Sequence, residues 1–262
     1  MAKVRLDVLM VSRGLAESRS QAQRLIMAGQ VRAAGQLVTK PAAGVMSDVI
    51  LEVDHGPPYV SRGGEKLAAA LARFPLQVKE KICADVGAST GGFTDCLLQH
   101  GARRVYAIDV GYGILHWKLR QDSRVVVMER TNARYIARLD EPVQLVTIDA
   151  SFISLKILLP VVTGWLSPQS GQVIALIKPQ FEAGRREAAR GDGVIRQPQI
   201  HARVLRETLE FAQESGCGVN GLLRSPLLGP KGNVEFLAWL SYPASSATDL
   251  AELIRDVLPP DD

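Results

Sequence analysis

Apolar residues recur along this chain with two different periods, and the change of period divides it. Early on, Leu6, Leu9 and Met10 sit at helical spacing, with Gly14 following as a stop. Ser18 reads as the cap of a second helix, Arg19 to Ala28, with Ala22, Leu25 and Ile26 on its apolar face and Gly29 at its end. Short β-like pieces at 30–31, 36–38 and 49–53 are punctuated by Gly35 and Pro41. Gly56-Pro57-Pro58 is stiff and non-helical. The pattern predicts a small α+β domain over 1–56, a linker over 57–63 and a large domain over 64–262.

Past the linker a helix from Glu65 to Phe74 is expected to bury Leu67, Ala70, Leu71 and Phe74. Lys66 falls off that face, in the first turn, where a cation opposes the helix dipole and hints at a task. From Lys81 to Leu240 strand-like and helix-like runs alternate. Strands are predicted at 82–86, 104–109, 124–128, 144–149, 172–177, 218–224 and 233–240, with helices at 92–100, 114–120, 132–138, 154–165 and 198–214. This is the signature of an α/β, Rossmann-like fold with a seven-stranded, mostly parallel doubly wound sheet.

Composition narrows the class. With 47% hydrophobic and 22% charged residues, wholesale disorder is excluded. No apolar run approaches the length of a membrane span, and Met1-Ala2-Lys3-Val4-Arg5 carries no signal-peptide core, so a cytoplasmic protein without a membrane partner is expected. Cys83, Cys96 and Cys217 show no metal spacing and are expected as reduced core thiols, with no metal site. Charge is uneven. Residues 1–40 carry seven basic side chains against Asp7 and Glu17, a net +5, while the whole chain is only +4. A basic module on a nearly neutral body points to a polyanionic partner.

The candidate chemistry centres on Asp85-Val86-Gly87-Ala88-Ser89-Thr90-Gly91-Gly92-Phe93, a strand end, a glycine turn and a helix start. Its Gly-x-x-x-Gly-Gly spacing is not that of a dinucleotide site and disfavours a nicotinamide-dependent oxidoreductase. An acid before so loose a turn suits a cationic, phosphate-free nucleoside, S-adenosylmethionine. Asp109, at the end of the next strand, is placed to grip ribose hydroxyls. Asp85, Asp109, Asp149 and Lys178 all stand at carboxyl ends of predicted strands, where open α/β sheets bind ligands. Pro179 holds Lys178 extended. Glu235 alternates with Leu237 and Trp239 on an apolar face and needs a cationic partner, Lys66 or Lys178. The loop from Phe181 to Gln197 bears Arg185, Arg186, Arg190 and Arg196 and is a candidate RNA contact.

Two sets of motifs carry a resemblance. Arg5-Leu6-Asp7, Ser18-Arg19-Ser20-Gln21-Ala22 and Leu25-Ile26-x-x-Gly29-x-Val31 resemble the S4-like RNA-binding domain. Asp85 to Phe93, Asp109-Val110-Gly111-Tyr112-Gly113, Glu129 to Arg134, Asp149-x-Ser151-Phe152-Ile153-Ser154-Leu155, Lys178-Pro179-Gln180-Phe181-Glu182 and Gly232-Asn233-Val234-Glu235 resemble the TlyA family. That family consists of ribosomal RNA 2′-O-methyltransferases, often called haemolysin A, whose catalytic domain is similar to the FtsJ type. The resemblance implies a Lys-Asp-Lys-Glu tetrad at Lys66, Asp149, Lys178 and Glu235. It implies S-adenosylmethionine held by Asp85, Gly87, Ala88, Ser89, Gly91, Gly92, Phe93, Asp109, Val110, Glu129, Asn132 and Asp149. Asp85 would serve the amino-acid end of that cofactor. RNA contacts are expected from Arg5, Arg19, Arg24, Lys40, Arg62, Arg134, Arg185 and Arg186. The partner implied is ribosomal RNA or a ribosomal subunit, with a cytidine of 23S RNA, and also of 16S RNA, as target. Two rival functions, a membrane-active haemolysin and a non-catalytic assembly factor, are opposed by the missing apolar span and by the complete tetrad respectively.

Overall fold

The computed structural model describes residues 3–54, 56–169, 171–184, 187, 191–244 and 248–258. The chain divides into two compact units, Met1–Pro58 and Tyr59–Asp262.

In the first unit β1 (Lys3–Arg5) runs into α1 (Leu6–Ser12), followed by α2 (Arg19–Met27), β2 (Val31–Ala33), β3 (Gln36–Leu37), β4 (Gly44–Met46) and β5 (Leu51–Val53). The Ser18 hydroxyl accepts from the Gln21 amide at 3.2 Å and so starts α2. Leu6 and Met10 of α1 meet Ala22 and Ile26 of α2 and Val31 of β2 in one small core. The β1–β4 and β3–β2–β5 sheets are antiparallel. The sequence pattern misses β1 and β4, each of which has one half-buried valine between exposed neighbours and so shows no apolar face.

The second unit opens with α3 (Gly63–Arg73), then β6 (Ile82–Val86), α4 (Gly92–Gln99), β7 (Arg104–Ile108), α5 (Trp117–Arg120) and β8 (Val125–Met128). It continues through β9 (Leu145–Ile148), α6 (Leu155–Thr163), β10 (Gly171–Ile177), α7 (Pro179–Glu182), α8 (Pro198–Glu214), β11 (Gly218–Arg224), β12 (Phe236–Tyr242) and α9 (Leu250–Val257). The sheet order is β11-β12-β10-β9-β6-β7-β8, parallel except that β12 runs against both neighbours. The mostly parallel seven-stranded sheet is as expected.

Period-two alternation sorts each strand between two cores. Ala84, Val86, Tyr106, Ile108, Val146 and Ile148 face one layer with α6 and α8. Cys83, Val105, Ala107, Leu145 and Leu176 face the other, with α3 and α4. Truncating one of these buried leucines costs about 2–5 kcal/mol, a large share of a domain's stability.

Four expectations change. The helix foreseen at 114–120 starts only at Trp117, where the His116 ring accepts the Lys118 amide at 3.2 Å. The stretch 132–138 makes a single 3₁₀ turn, Ala133–Tyr135, after which the Trp165 indole donates to the Ile136 carbonyl at 2.9 Å and holds the chain extended. The strand foreseen from 233 starts at Phe236, because the Asn233 amide group donates to the carbonyls of Gly193 (2.9 Å) and Pro230 (3.1 Å). The helices α7 and α9 are additions that the pattern does not foresee.

The topology fixes where a ligand can sit. After β6 the chain builds outward through β7 and β8, then returns to place β9 on the other flank of β6. The reversal opens a crevice at the carboxyl ends of β6 and β9.

Candidate active site

Gly87 leaves β6 with φ +85, and a Cβ there would lie 2.6 Å from the Asp149 carbonyl oxygen at the end of β9. Only glycine lets the two strand ends close up in this way. Two clefts flank the contact. One, of about 520 Å³, is lined by Ser61 to Gly63, Lys66, the glycine turn, Lys178, Leu227 to Pro230 and Glu235. The other, of about 670 Å³, is lined by Ile108 to Val110, Thr131 to Arg134 and Ala150 to Ser154. Gly87, Ser89, Asp149 and Ser151 belong to both, so the clefts share a wall at the switch point.

Two ion pairs stand in the first cleft. Lys66 Nζ lies 2.5 Å from Glu235 Oε2, and Lys178 Nζ lies 2.6 Å from Asp149 Oδ1. Lys178 also donates to Ser151 Oγ at 3.1 Å, with the Asp149 carbonyl oxygen at 3.5 Å. Glu235 is 1% exposed, and Gln180 Nε2 approaches its other oxygen at 3.5 Å. Register brings the two pairs into one cleft. Antiparallel β12 sets Phe236 opposite Ile177 of β10, so the residues just outside each strand, Glu235 and Lys178, fall side by side. A Cβ on Gly229 would sit 2.0 Å from Glu235 Oε1, so that loop can cover the carboxylate only as glycine. Lys66 differs from expectation. It is buried with Leu67 and Ala70, because the cavity end of the helix's inner face offers Glu235 in place of apolar contact.

The expected cofactor residues divide. Gly87, Ala88, Ser89, Gly92 and Phe93 line the first cleft, and Asp109, Val110 and Asn132 the second. Asp109 accepts the amides of Ser89 and Gly111, each at 2.7 Å, and so ties the two turns together. Three residues serve from behind. Gly91 caps α4 and packs on Leu115 and Leu119. Glu129 accepts the Gly113 amide at 2.9 Å and pairs with Arg120, bracing the loop that carries Val110. Asp85 lies deepest of the three. It is fully buried beneath the turn, where its oxygens accept the hydroxyls of Thr94 (2.7 Å) and Thr147 (3.1 Å). Burial pushes its carboxyl up to about 7, with the two threonines opposing. It is thus placed to brace β6, β9 and α4 against one another.

Sequence reasoning assigns no role to Phe152. It is 91% exposed on the wall of the second cleft, held at φ +63, with its ring 4.9 Å from that of Phe181. An aromatic three residues beyond a strand-end acid was the available signal.

The basic candidates also divide. In the first unit Asp7 is fully buried and gathers Arg5 (2.9 Å), Arg19 (2.9 Å) and Gln23 (2.9 Å). The Arg5 guanidinium, helped by Gln23 and Arg19, holds the Asp7 carboxyl well below the usual carboxylate range. Arg5 and Arg19 therefore form a fixed, half-exposed cationic edge, in place of freely solvated charges. Arg24 and Lys40 are exposed. In the second unit Arg62 lines the first cleft, and Arg134 lines the second with its guanidinium 4.4 Å over the Tyr135 ring. Arg185, Arg186 and Arg190 lie outside the described residues, and Arg196 is exposed. Among the described residues no group of three or more His, Cys, Asp or Glu could hold a metal ion, and no helix is long and apolar enough to cross a membrane.

Comparison with known proteins agrees with this fold. Residues 59–242 match the FtsJ-like methyltransferase family, and residues 4–45 match the S4 domain. The chain is 52% identical over 245 residues to YqxC of Bacillus subtilis (strain 168), covering 92% of this chain and 86% of that one. It is 47% identical over 242 residues to the 16S/23S rRNA (cytidine-2′-O)-methyltransferase TlyA of Mycobacterium tuberculosis, covering 91% of this chain and 90% of that one. A solved chain from Streptococcus thermophilus that bears a hemolysin name superposes with a TM-score of 0.71 at 45% identity, covering 98% of this chain and 96% of that one.

Proposed function

The chain belongs to the FtsJ-like methyltransferase family, and on that premise we propose that it transfers a methyl group from S-adenosylmethionine to a ribose 2′-hydroxyl of ribosomal RNA. One observation carries the reading: the Lys66–Glu235 and Lys178–Asp149 pairs stand in a cleft that shares its wall with the glycine turn. The crevice fits the cofactor. A glycine-rich turn lets a ligand approach backbone, the second cleft has apolar walls at Val110, Ile153 and Ile157 for a base, and Asp109 lines that cleft beside the turn for a ribose. When bound, S-adenosylmethionine supplies a sulfonium methyl that is already electrophilic.

The protein's task is then alignment. Lys178, anchored by Asp149 and Ser151, would point an N–H at the 2′-oxygen and hold it in line, and the hydroxyl proton, displaced as the oxygen takes the methyl group from sulfur, would pass to water in the open cleft. Asp149 keeps that lysine at the seam between the clefts, beside the position of the sulfonium charge. Lys66 walls the acceptor side, and its pairing with Glu235 offsets its charge, so that lysine adds no net positive charge facing the cationic donor. The S4 domain, with Arg5, Arg19, Arg24 and Lys40, would grip RNA backbone, which positions a substrate more than it reads sequence. A cytidine of 23S RNA, with a second in 16S RNA, is the target we infer from the TlyA relative, and the reaction would take place in the cytoplasm on rRNA or an assembled subunit.

Transfer of tritium from methyl-labelled S-adenosylmethionine to purified 50S and 30S subunits, with 2′-O-methyl mapping of both rRNAs, tests the proposal. Label on a ribose of either RNA supports it. Label on a base, or on neither RNA, defeats it.

A further inference from the structure

We propose that Ser151 is a positioning residue for methyl transfer, acting through Lys178 by fixing the direction of its amine; the proposal rests on the methyltransferase reading above. An ammonium group has three N–H positions. At Lys178 two point at strong acceptors, Asp149 Oδ1 at 2.6 Å and Ser151 Oγ at 3.1 Å, while the nearest partner for the third, the Asp149 carbonyl oxygen, is 3.5 Å away. One short bond alone would leave the amine free to turn about its Cε–Nζ axis. The second bond removes that freedom, so the weakly engaged third position keeps one heading, and that is the position a ribose oxygen can take over.

Ser151 is placed for the task. It follows Asp149 by two residues, is solvent-exposed, and lines both clefts where the methyl group must cross. Its neighbour Phe152 holds the left-handed region at φ +63, a conformation rare for an aromatic residue, which turns the chain immediately after Ser151. Further along the same loop the Ser154 hydroxyl bonds Glu182 at 2.5 Å, and the Leu155 amide donates to that carboxylate at 2.8 Å, pinning the loop to the helix that begins right after Lys178. Ser151 and Lys178 are therefore held on two segments that are bolted together. Being exposed, Ser151 adds little to the core, so its replacement leaves the fold available for measurement.

The experiment is single-turnover methyl transfer at saturating S-adenosylmethionine and rRNA subunit, using full-length Ser151→Ala, Ser151→Thr, Lys178→Ala and the Ser151→Ala/Lys178→Ala double variant. Ser151→Ala should slow transfer roughly tenfold, the scale of one hydrogen bond to a charged group, with unchanged affinity for cofactor and RNA. Ser151→Thr, which keeps the hydroxyl, should restore most of the rate. The double variant should be no slower than Lys178→Ala alone, because a residue that acts through Lys178 has nothing left to orient. A wild-type rate in Ser151→Ala, a loss confined to cofactor affinity, or a tenfold further loss on the Lys178→Ala background would each overturn the proposal. A wild-type rate in Lys178→Ala would instead overturn the mechanism on which it rests.

Discussion

Lys66 and Glu235 lie 169 residues apart in the chain and 2.5 Å apart in space. Neither side chain would be stable there alone, since a buried charge without its partner is strongly penalised. The pair joins the first helix of the catalytic unit to a loop at the opposite end of its sequence, so the acceptor cleft closes only once both have folded.

Breaking that pair separates stability from activity. Removing one partner, as in Lys66→Met or Glu235→Leu, leaves an uncompensated buried charge and should destabilise the protein by about 3–5 kcal/mol. The double variant Lys66→Met/Glu235→Leu should recover most of that stability while remaining impaired in methyl transfer. Urea unfolding of the three variants beside a transfer assay checks both halves. A double variant as unstable as the singles would show that the pair is not an isolated unit.

Lys178→Ala should lower the methyl-transfer step by about a hundred- to thousandfold at saturating substrates, the range for removing a donor aimed at the reacting oxygen. Binding of S-adenosylmethionine and of RNA should persist. Lys66→Ala should be the milder change if that residue sets only the electrostatics of the cleft. Single-turnover rates separate these outcomes from loss of binding.

Local patterns were legible in the sequence. The glycine turn, the acids at strand ends and the Ser18 cap are each written within a few neighbouring residues, so they survive without knowledge of the fold. The partners of the charges were not. The register of Ile177 against Phe236 sets Glu235 beside Lys178, yet its ion-pair partner is Lys66 on α3, a choice made by helix packing that no local pattern encodes. Asp85 reads the same whether it faces a ligand or lies under the turn. The outcome depends on the Thr94 and Thr147 hydroxyls, one on the next helix and one on a strand that is distant in sequence. Arg5 and Arg19 look like free surface charge until α1 and α2 pack and bring Asp7 between them.

That packing changes how RNA docking should be probed. Reversing Arg19 would also strip Asp7 of a partner, so a loss of binding could reflect a damaged domain. Arg24→Glu with Lys40→Glu is the cleaner pair, both being exposed. It should weaken subunit binding and flatten its salt dependence, by roughly 0.7–0.9 in the log–log slope for each phosphate no longer neutralised. Affinity for S-adenosylmethionine should not change. Titrations at several salt concentrations measure the slope directly, and an unaltered slope would remove these two residues from the interface.

Asp85 gives the protein a pH dependence whose sign can be worked out. Burial raises its carboxyl from an ordinary value near 4 to about 7 in the folded state. Between those values the folded protein keeps a proton that the unfolded chain releases. The stability contributed at this site is therefore fully present below about pH 4, falls as the pH rises, and is lost above about pH 7. Asparagine has the same shape and no charge to bury, and its amide can still bond Thr94 and Thr147. Asp85→Asn should accordingly raise the melting temperature by several degrees at pH 8 and by progressively less toward pH 4.5. Because the side chain lies beneath the turn, affinity for S-adenosylmethionine should stay within about twofold, the scatter expected for a change that removes no ligand contact. Calorimetric melts at three pH values, with a cofactor titration at the highest, test the two statements independently. Equal shifts at every pH would disprove the buried-acid account, and a collapse of cofactor affinity in a well-folded variant would return Asp85 to the ligand.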